Sequence, residues 1–310
     1  MSKYIILADV TCDLSQEIRD RFGIENYIKG HIHFSDGRDF HTTLDWDHIS
    51  REDFYKALSD KKTEISTAPA SPEEYYNTFK KYAEQGIDIL SMSISSKISS
   101  TYHVAKQAAD RVTAEHPERK IYCFDSYKMC GAFGLLVIFA HRLKEDGRSM
   151  DDVITALESH KHKVHQMGPI DDLIFVARRG RITMGKAIMG SFAGVKPMGD
   201  CTREGYVSVL TKVKGITKAL DLTVRYVERS AVDITNQYIL ISHSNRQEYA
   251  DKLRTMLEET LHPKKVFVSD VFCGSGTNVG PGMVAVYFMG HELSEGLVAE
   301  KTIITELLNG

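Results

Sequence analysis

Cysteine is scarce and scattered: Cys12, Cys123, Cys130, Cys201 and Cys273 are the only five in 310 residues, and no two form a C-x-x-C pair. That spacing excludes a zinc ribbon and a dithiol redox motif, and it reads as reduced, mostly buried thiols. Long apolar runs are also missing. The longest, Gly131 to Ala140, falls well short of the roughly 20 residues that cross a bilayer. Tyr4–Ala8 is cut by Asp9, too short for a secretion signal and suited to a first buried strand, so a cytoplasmic location is expected. The chain lacks dense Lys/Arg blocks with interleaved aromatics, and its net charge of −3 is spread over both signs, which argues against a nucleic-acid surface. P-loop, G-x-S-x-G and H-E-x-x-H motifs are absent, as are repeats and low-complexity tracts. What remains is a small-molecule or protein partner, with no cofactor or metal called for.

What the chain does have is alternation. Strand-like Tyr4–Ala8, Ile87–Met92 and Lys120–Phe124 are interleaved with helical patterns at Ser15–Phe22, Thr101–Val112 and Tyr127–Leu143, the βαβα signature of a mostly parallel sheet covered by helices. Later, Leu173–Val176, Ala193–Met198, Tyr206–Leu210, Tyr238–Ser242 and Val266–Val271 read as strands, with helices at Thr217–Glu228 and Gln247–Glu259. The expectation is a two-lobed α/β protein: residues 1–167, then 168–310, divided at Met167-Gly168-Pro169. Asp36-Gly37 signals a hairpin turn, and Glu292–Leu308 a further amphipathic helix.

Two hydroxyl-rich segments carry the first functional signal: Ser66-Thr67-Ala68-Pro69-Ala70-Ser71, and Ser93 through Thr101. Both read as loops next to helix starts, where unpaired N–H groups and the positive end of the helix dipole favour an anion. Ser71 and Ser99 read as ordinary caps; Ser66, Thr67, Ser95 and Ser96 exceed what capping needs. Cys273 to Gly282 reads either as a glycine-rich turn between strands or as bare backbone closely approached by a ligand; it is not a dinucleotide fingerprint, because the run that follows is strand-like. Arg178, Arg179 and Arg181 could meet an anion or an acidic partner, while His160–His165 reads as a solvated helix face. Met129–Ala140 is apolar on nearly every face; it suits a core, and equally the wall of an apolar tunnel in which Gly131 and Gly134 leave room for a chain.

Together these segments resemble the DegV family over nearly the whole chain. The resemblance is carried by Ala8-Asp9-Val10-Thr11-Cys12-Asp13-Leu14, the Ser66–Ser71 segment before Pro72-Glu73-Glu74, Ile94 to Tyr102, Phe124-Asp125-Ser126, Arg178-Arg179-Gly180-Arg181, Val195-Lys196-Pro197 and Gly276 to Gly282. It implies a DegV-like fold, with a mostly parallel sheet in the N-terminal lobe, a mixed sheet in the C-terminal lobe and a ligand cleft between them. It also implies a long-chain fatty acid held there, and a fatty acid kinase as partner that phosphorylates the bound acyl group; the binding protein itself does no chemistry.

Carried over residue by residue, the resemblance implies carboxylate ligands at Ser66, Thr67, Ser95, Ser96 and Asn278, and a pocket loop of Gly276, Thr277, Gly280 and Gly282. Phe133, Leu136 and Val137 are expected in the pocket wall, and Arg178, Arg179, Arg181 and Lys214 at a partner or anion contact. Several positions depart from the family pattern: Asn278 for a usual His, Ala68 for Gln, Ala70 for Ser, Ser100 for Gly, Val10 for Ser, Lys214 for Arg, and Lys29-Gly30-His31-Ile32-His33 for an apolar run. His31 and His33 would share one strand face. If that face lines the pocket, a shorter or more polar carboxylate becomes an alternative ligand. A serine hydrolase using Ser66, Ser95 or Ser96 with His243 is the remaining alternative.

Overall fold

The computed structural model describes residues 3–60, 62–182 and 194–310. Along the first part run β1 (Tyr4–Asp9), α1 (Gln16–Phe22), β2 (Tyr27–Ile28), β3 (His31–Phe34), β4 (Asp39–His41), α2 (Arg51–Ser59), β5 (Ile65–Ala68) and α3 (Pro72–Glu84). Next come β6 (Asp88–Ser93), α4 (Thr101–Glu115), β7 (Ile121–Asp125), α5 (Cys130–Glu145), α6 (Met150–His160), β8 (Val164–Met167) and α7 (Leu173–Arg178). The remainder is β9 (Val195–Cys201), β10 (Val207–Lys214), α8 (Ile216–Ser230), β11 (Tyr238–His243), α9 (Gln247–Leu261), β12 (Lys265–Asp270), α10 (Cys273–Val279), β13 (Val284–Met289) and α11 (Val298–Asn309).

β1 and β6 are buried along nearly their whole length, as central strands covered on both faces must be. They sit inside an all-parallel sheet ordered β2-β1-β6-β7. The second sheet, β12-β11-β13-β8, is mixed: β11 and β12 are parallel, while β13 runs antiparallel to both β11 and β8. β8 therefore joins the second sheet just ahead of the Met167-Gly168-Pro169 punctuation. A three-stranded antiparallel sheet, β4-β3-β5, contains the Asp36-Gly37 turn, with Gly37 at φ 92°, and β9 and β10 form a separate antiparallel pair.

α5 explains its own composition. It packs between the two larger sheets, and its residues share one core with Phe124 on one side and Leu240, Phe267 and Tyr287 on the other, so it has no polar face to keep. Its glycines admit neighbours rather than a passing ligand. A Cβ on Gly131 would stand 2.4 Å from the Tyr287 ring, and one on Gly134 would stand 2.4 Å from the Cys12 carbonyl oxygen.

Four local expectations fail. Leu173–Val176 is the start of a short helix, opened by Asp172, whose carboxylate accepts from Phe175 N at 2.9 Å. Ser66 and Thr67 lie in β5 rather than in a loop, because β3 supplies a strand partner distant in sequence. Cys273–Val279 is helix α10 rather than a turn: its small residues let it press against α2, where a Cβ on Gly276 would meet Phe54 and Tyr55 at 2.9 Å. Ala193, expected to begin a strand, lies outside the described residues, and β9 begins at Val195. His165, expected on a solvated face, is buried in β8 with Nδ1 3.3 Å from Asp200. α11 packs on α8 and β10, contributing Ile304 and Leu307 to the second core. No helix among the described residues is long and apolar enough to cross a membrane.

Candidate functional site

The C-terminal ends of parallel strands are where open α/β sheets leave a crevice, and here β1 ends at Asp9 on the edge of a cavity of about 260 Å³. Residues from both halves of the chain line it: Val10 and Thr11 after β1, Thr67 to Ala70 around the end of β5, Ile94 and Ile98 to Thr101 leading into α4, Met129 and Cys130 opening α5, and Gly274, Ser275, Asn278 and Val279 on α10. The beginnings of α4 and α5 converge on this space. Ser100, which caps α4, makes no side-chain capping bond, and Ser99, Ser100 and Thr101 line the cavity, so the positive end of a 15-residue helix dipole lies at its edge.

The polar groups are few and fixed. Asn278 Nδ2 donates to Thr67 Oγ1 at 3.2 Å, which links α10 to β5 across the cavity. Ser99 Oγ lies 2.7 Å from Thr101 Oγ1 and accepts from Thr101 N. Asp9 is buried at the inner end; it accepts from Thr11 N and Ile94 N, each at 2.8 Å, and from the Thr11 hydroxyl. Burial raises its pKa, against the pull of those hydrogen bonds. Its carboxylate anchors the loops after β1 and β6 rather than reaching for a ligand.

Asp13 stands behind the lining residues Ser275 and Cys130. It accepts from Phe272 N at 3.0 Å, with the Ser275 hydroxyl and the Cys130 thiol beside it. Burial pushes its carboxyl up to about 8, aided by the charge of Asp9 and opposed by donors at Ser275, Phe272 and Cys130. A carboxyl at about 8 in the fold and near 3.9 in the unfolded chain binds its proton more tightly when folded, so its stabilising influence is full below about pH 4 and is lost as pH rises through 8. Asp13→Asn keeps the acceptor for Phe272 N and tolerates the left-handed backbone at φ 50°. The variant is expected to flatten the fall in stability between pH 5 and pH 8 by about 3 kcal/mol, at roughly 1.4 kcal/mol per pH unit. Urea melts of both proteins at the two pH values measure this; parallel pH profiles would contradict it.

Of the residues expected to hold a carboxylate, the structure brings together Thr67 and Asn278 and separates the others. Ser66 precedes Thr67 in β5, so it points to the opposite face of the sheet, where it is exposed. Ser95 is fully buried: its hydroxyl donates to the Gly205 carbonyl at 2.8 Å and accepts from Lys97 N, tying the β6–α4 loop to the β9–β10 turn. Ser96 offers its backbone N–H to Asp125 Oδ1 at 3.1 Å and does not line the cavity. Their neighbours Ser99, Ser100 and Thr101 take the lining positions instead. Gly276, Thr277, Gly280 and Gly282 serve packing: the Thr277 hydroxyl donates to Cys273 O within α10, and Gly280 and Gly282 lie at positive φ against Phe175 and Asp171. Phe133, Leu136 and Val137 are fully buried between the sheets, away from the cavity.

Among the basic residues, Arg181 reaches the cavity lining, Arg179 donates to the Ile65 carbonyl at 2.9 Å, and Arg178 and Lys214 are exposed elsewhere. His31 lines the cavity together with Lys29. His243 is buried with both ring nitrogens occupied, one facing Gln247 and Asp270 and the other accepting from Arg246 N; no hydrogen bond joins it to a serine among the described residues. Burial lowers its pKa. His243 therefore makes no Ser–His contact of the kind that the hydrolase alternative with Ser66, Ser95 or Ser96 requires.

Comparison with known proteins shows the family and the fold. The family model described as an uncharacterised protein of the DegV family matches residues 3–291. The chain belongs to the DegV family. A DegV domain-containing protein of Clostridium perfringens is 30% identical over 290 residues, covering 94% of this chain and 98% of its own. A DegV family protein from Thermus thermophilus, whose structure was described for its fatty acid binding, superposes with a TM-score of 0.82 at 24% identity, covering 94% of this chain and 100% of that one. The Streptococcus pneumoniae fatty acid kinase B3 protein loaded with linoleic acid superposes with a TM-score of 0.79 at 17% identity, covering 93% of this chain and 99% of that one. This DegV chain thus shares their two-lobed α/β architecture, and α11 lies beyond the stretch that the family model matches.

Proposed function

We propose that this DegV protein binds a fatty acid in the cavity between its lobes, with the carboxylate at the Thr67–Asn278 pair and the start of α4, and presents it to a fatty acid kinase. The observation that carries this reading is the cavity's chemistry: apolar walls from Val10, Ile94, Ile98 and Val279, with neutral hydroxyl and amide donors at one end. Neutral donors and backbone N–H groups hold a carboxylate without the tight bidentate grip of a buried arginine clamp, which leaves its oxygens open to a phosphoryl donor. The fatty-acid-bound relatives support the ligand class, and the kinase B3 neighbour supports the partner.

A second reading has its own support. At about 260 Å³ the cavity lies at the lower edge of ligand pockets, which run from roughly 300 Å³ upward, and Lys29, His31 and Arg181 make part of its lining polar. Both features favour a shorter or more polar acid. Calorimetric titration with saturated acids of increasing length separates the two. Affinity rising by about 0.8 kcal/mol per methylene up to long chains supports the first reading; a plateau at short chains selects the second. Thr67→Ala is expected to weaken either class of ligand by roughly 10–100-fold without altering the length preference, as loss of one hydrogen bond to a charged group does. Unchanged affinity in that variant would move the carboxylate away from this end of the cavity.

A further inference from the structure

Outside the cavity's apolar walls, one cluster of side chains has no role in the fatty-acid reading. His31 on β3 and His41 on β4 are direct cross-strand partners, and their rings lie 4.7 Å apart. Glu74, the third residue of α3, projects onto the same place, with Oε2 2.8 Å from His31 Nε2 and Oε1 3.9 Å from His41 Nδ1. One ligand atom from each of the three lies within 4.8 Å of the other two. We propose that His31, His41 and Glu74 form a binding site for a borderline transition-metal ion of the zinc class at the edge of the cavity.

The geometry suits that ion. Tetrahedral zinc with bonds of about 2.0–2.1 Å sets its ligand atoms about 3.3 Å apart, a value between the two separations in the structure, so small side-chain rotations close the site. Two imidazoles and one carboxylate make a nitrogen-rich donor set that favours zinc, nickel or copper over magnesium and calcium, which require oxygen ligands. The ligands are held from behind. β3 is the central strand of its sheet, and Glu74 is fixed by a capping box in which its Oε2 accepts from Ser71 N at 2.7 Å. His33 stacks on His31 but is committed to Asp39 at 2.7 Å. Three protein ligands leave a coordination position for water or an added anion, and the side chains are exposed enough for an ion to enter.

The test is calorimetric titration of the untagged full chain with zinc chloride, alongside visible spectroscopy with cobalt(II). One equivalent should bind per chain, with tetrahedral cobalt absorption, and affinity should fall by about 10-fold or more in His41→Ala and in Glu74→Gln, as loss of a direct ligand requires. His41 is half exposed, and glutamine preserves the capping contacts of Glu74, so circular dichroism should show both variants folded. His103→Ala, on the exposed face of α4, serves as the control and should bind as the parent does. Absence of stoichiometric binding to the parent, or parental affinity in either ligand variant, would overturn the proposal.

Discussion

Ile98→Trp is expected to close the cavity to an acyl chain while leaving the fold intact. Ile98 lines the cavity from the turn ahead of α4 and is only partly buried, so the added indole grows into open space rather than into the packed core. Excluding about four methylenes at roughly 0.8 kcal/mol each costs about 3 kcal/mol, a loss of affinity on the order of 100-fold. The rise in melting temperature on adding fatty acid should vanish with it. A variant that binds as tightly as the parent would place the acyl chain elsewhere, and a variant that melts much lower without ligand would mean that Ile98 is a core residue.

Gly134→Ala is expected to destabilise the protein even though alanine is the better helix former. In an exposed helix the change would gain about 1 kcal/mol. In α5 the new methyl would stand 2.4 Å from the Cys12 carbonyl oxygen and 2.8 Å from Leu14 Cδ2. A backbone carbonyl in the turn after β1 cannot retreat as a side-chain end can, so the two elements must separate. Overpacking of this kind typically costs 1–3 kcal/mol; with a backbone atom in the way the upper end applies, and after the propensity gain a net loss of about 2 kcal/mol is expected here. Thermal and urea melts measure it; a gain in stability would show that α5 and the loop after β1 are packed less closely than the structure indicates. Because that loop carries Asp9, Val10 and Thr11 into the cavity lining, the variant should also weaken ligand binding.

How much was legible in the sequence follows from how local each signal is. Hydrophobic alternation and helical periodicity are local, and they correctly located β1, β6, β7, β11 and β12 together with α1, α4, α5, α8 and α9. The capping box at Ser71 and the Asp36-Gly37 turn were legible for the same reason. β5 was not, because a four-residue strand with two hydroxyls is defined by its pairing with β3, more than 30 positions earlier in the chain. Reading Ser66–Thr67 as a loop placed both hydroxyls in one site, whereas a strand sends them to opposite faces. α5 misled in another way: an all-round apolar helix has the same sequence whether it walls a tunnel or is sandwiched between sheets, and only the second sheet, assembled from the far end of the chain, decides between them. Thr67 was signalled by its hydroxyl-rich segment and Asn278 by the family resemblance, neither by periodicity, and their contact spans 211 positions. Asp13, the least conventional titrating group near the site, had a signal available: an acidic residue inside a run of otherwise buriable residues.

The central claim is that the cavity holds a fatty acid, and its most direct test is mass spectrometry of the freshly purified protein under native conditions, followed by extraction and identification of the bound lipid. A single fatty acid at close to one equivalent is expected for the parent, with little or none in Ile98→Trp. A parent that carries no acyl chain and takes none up when saturated and unsaturated acids are added would contradict it.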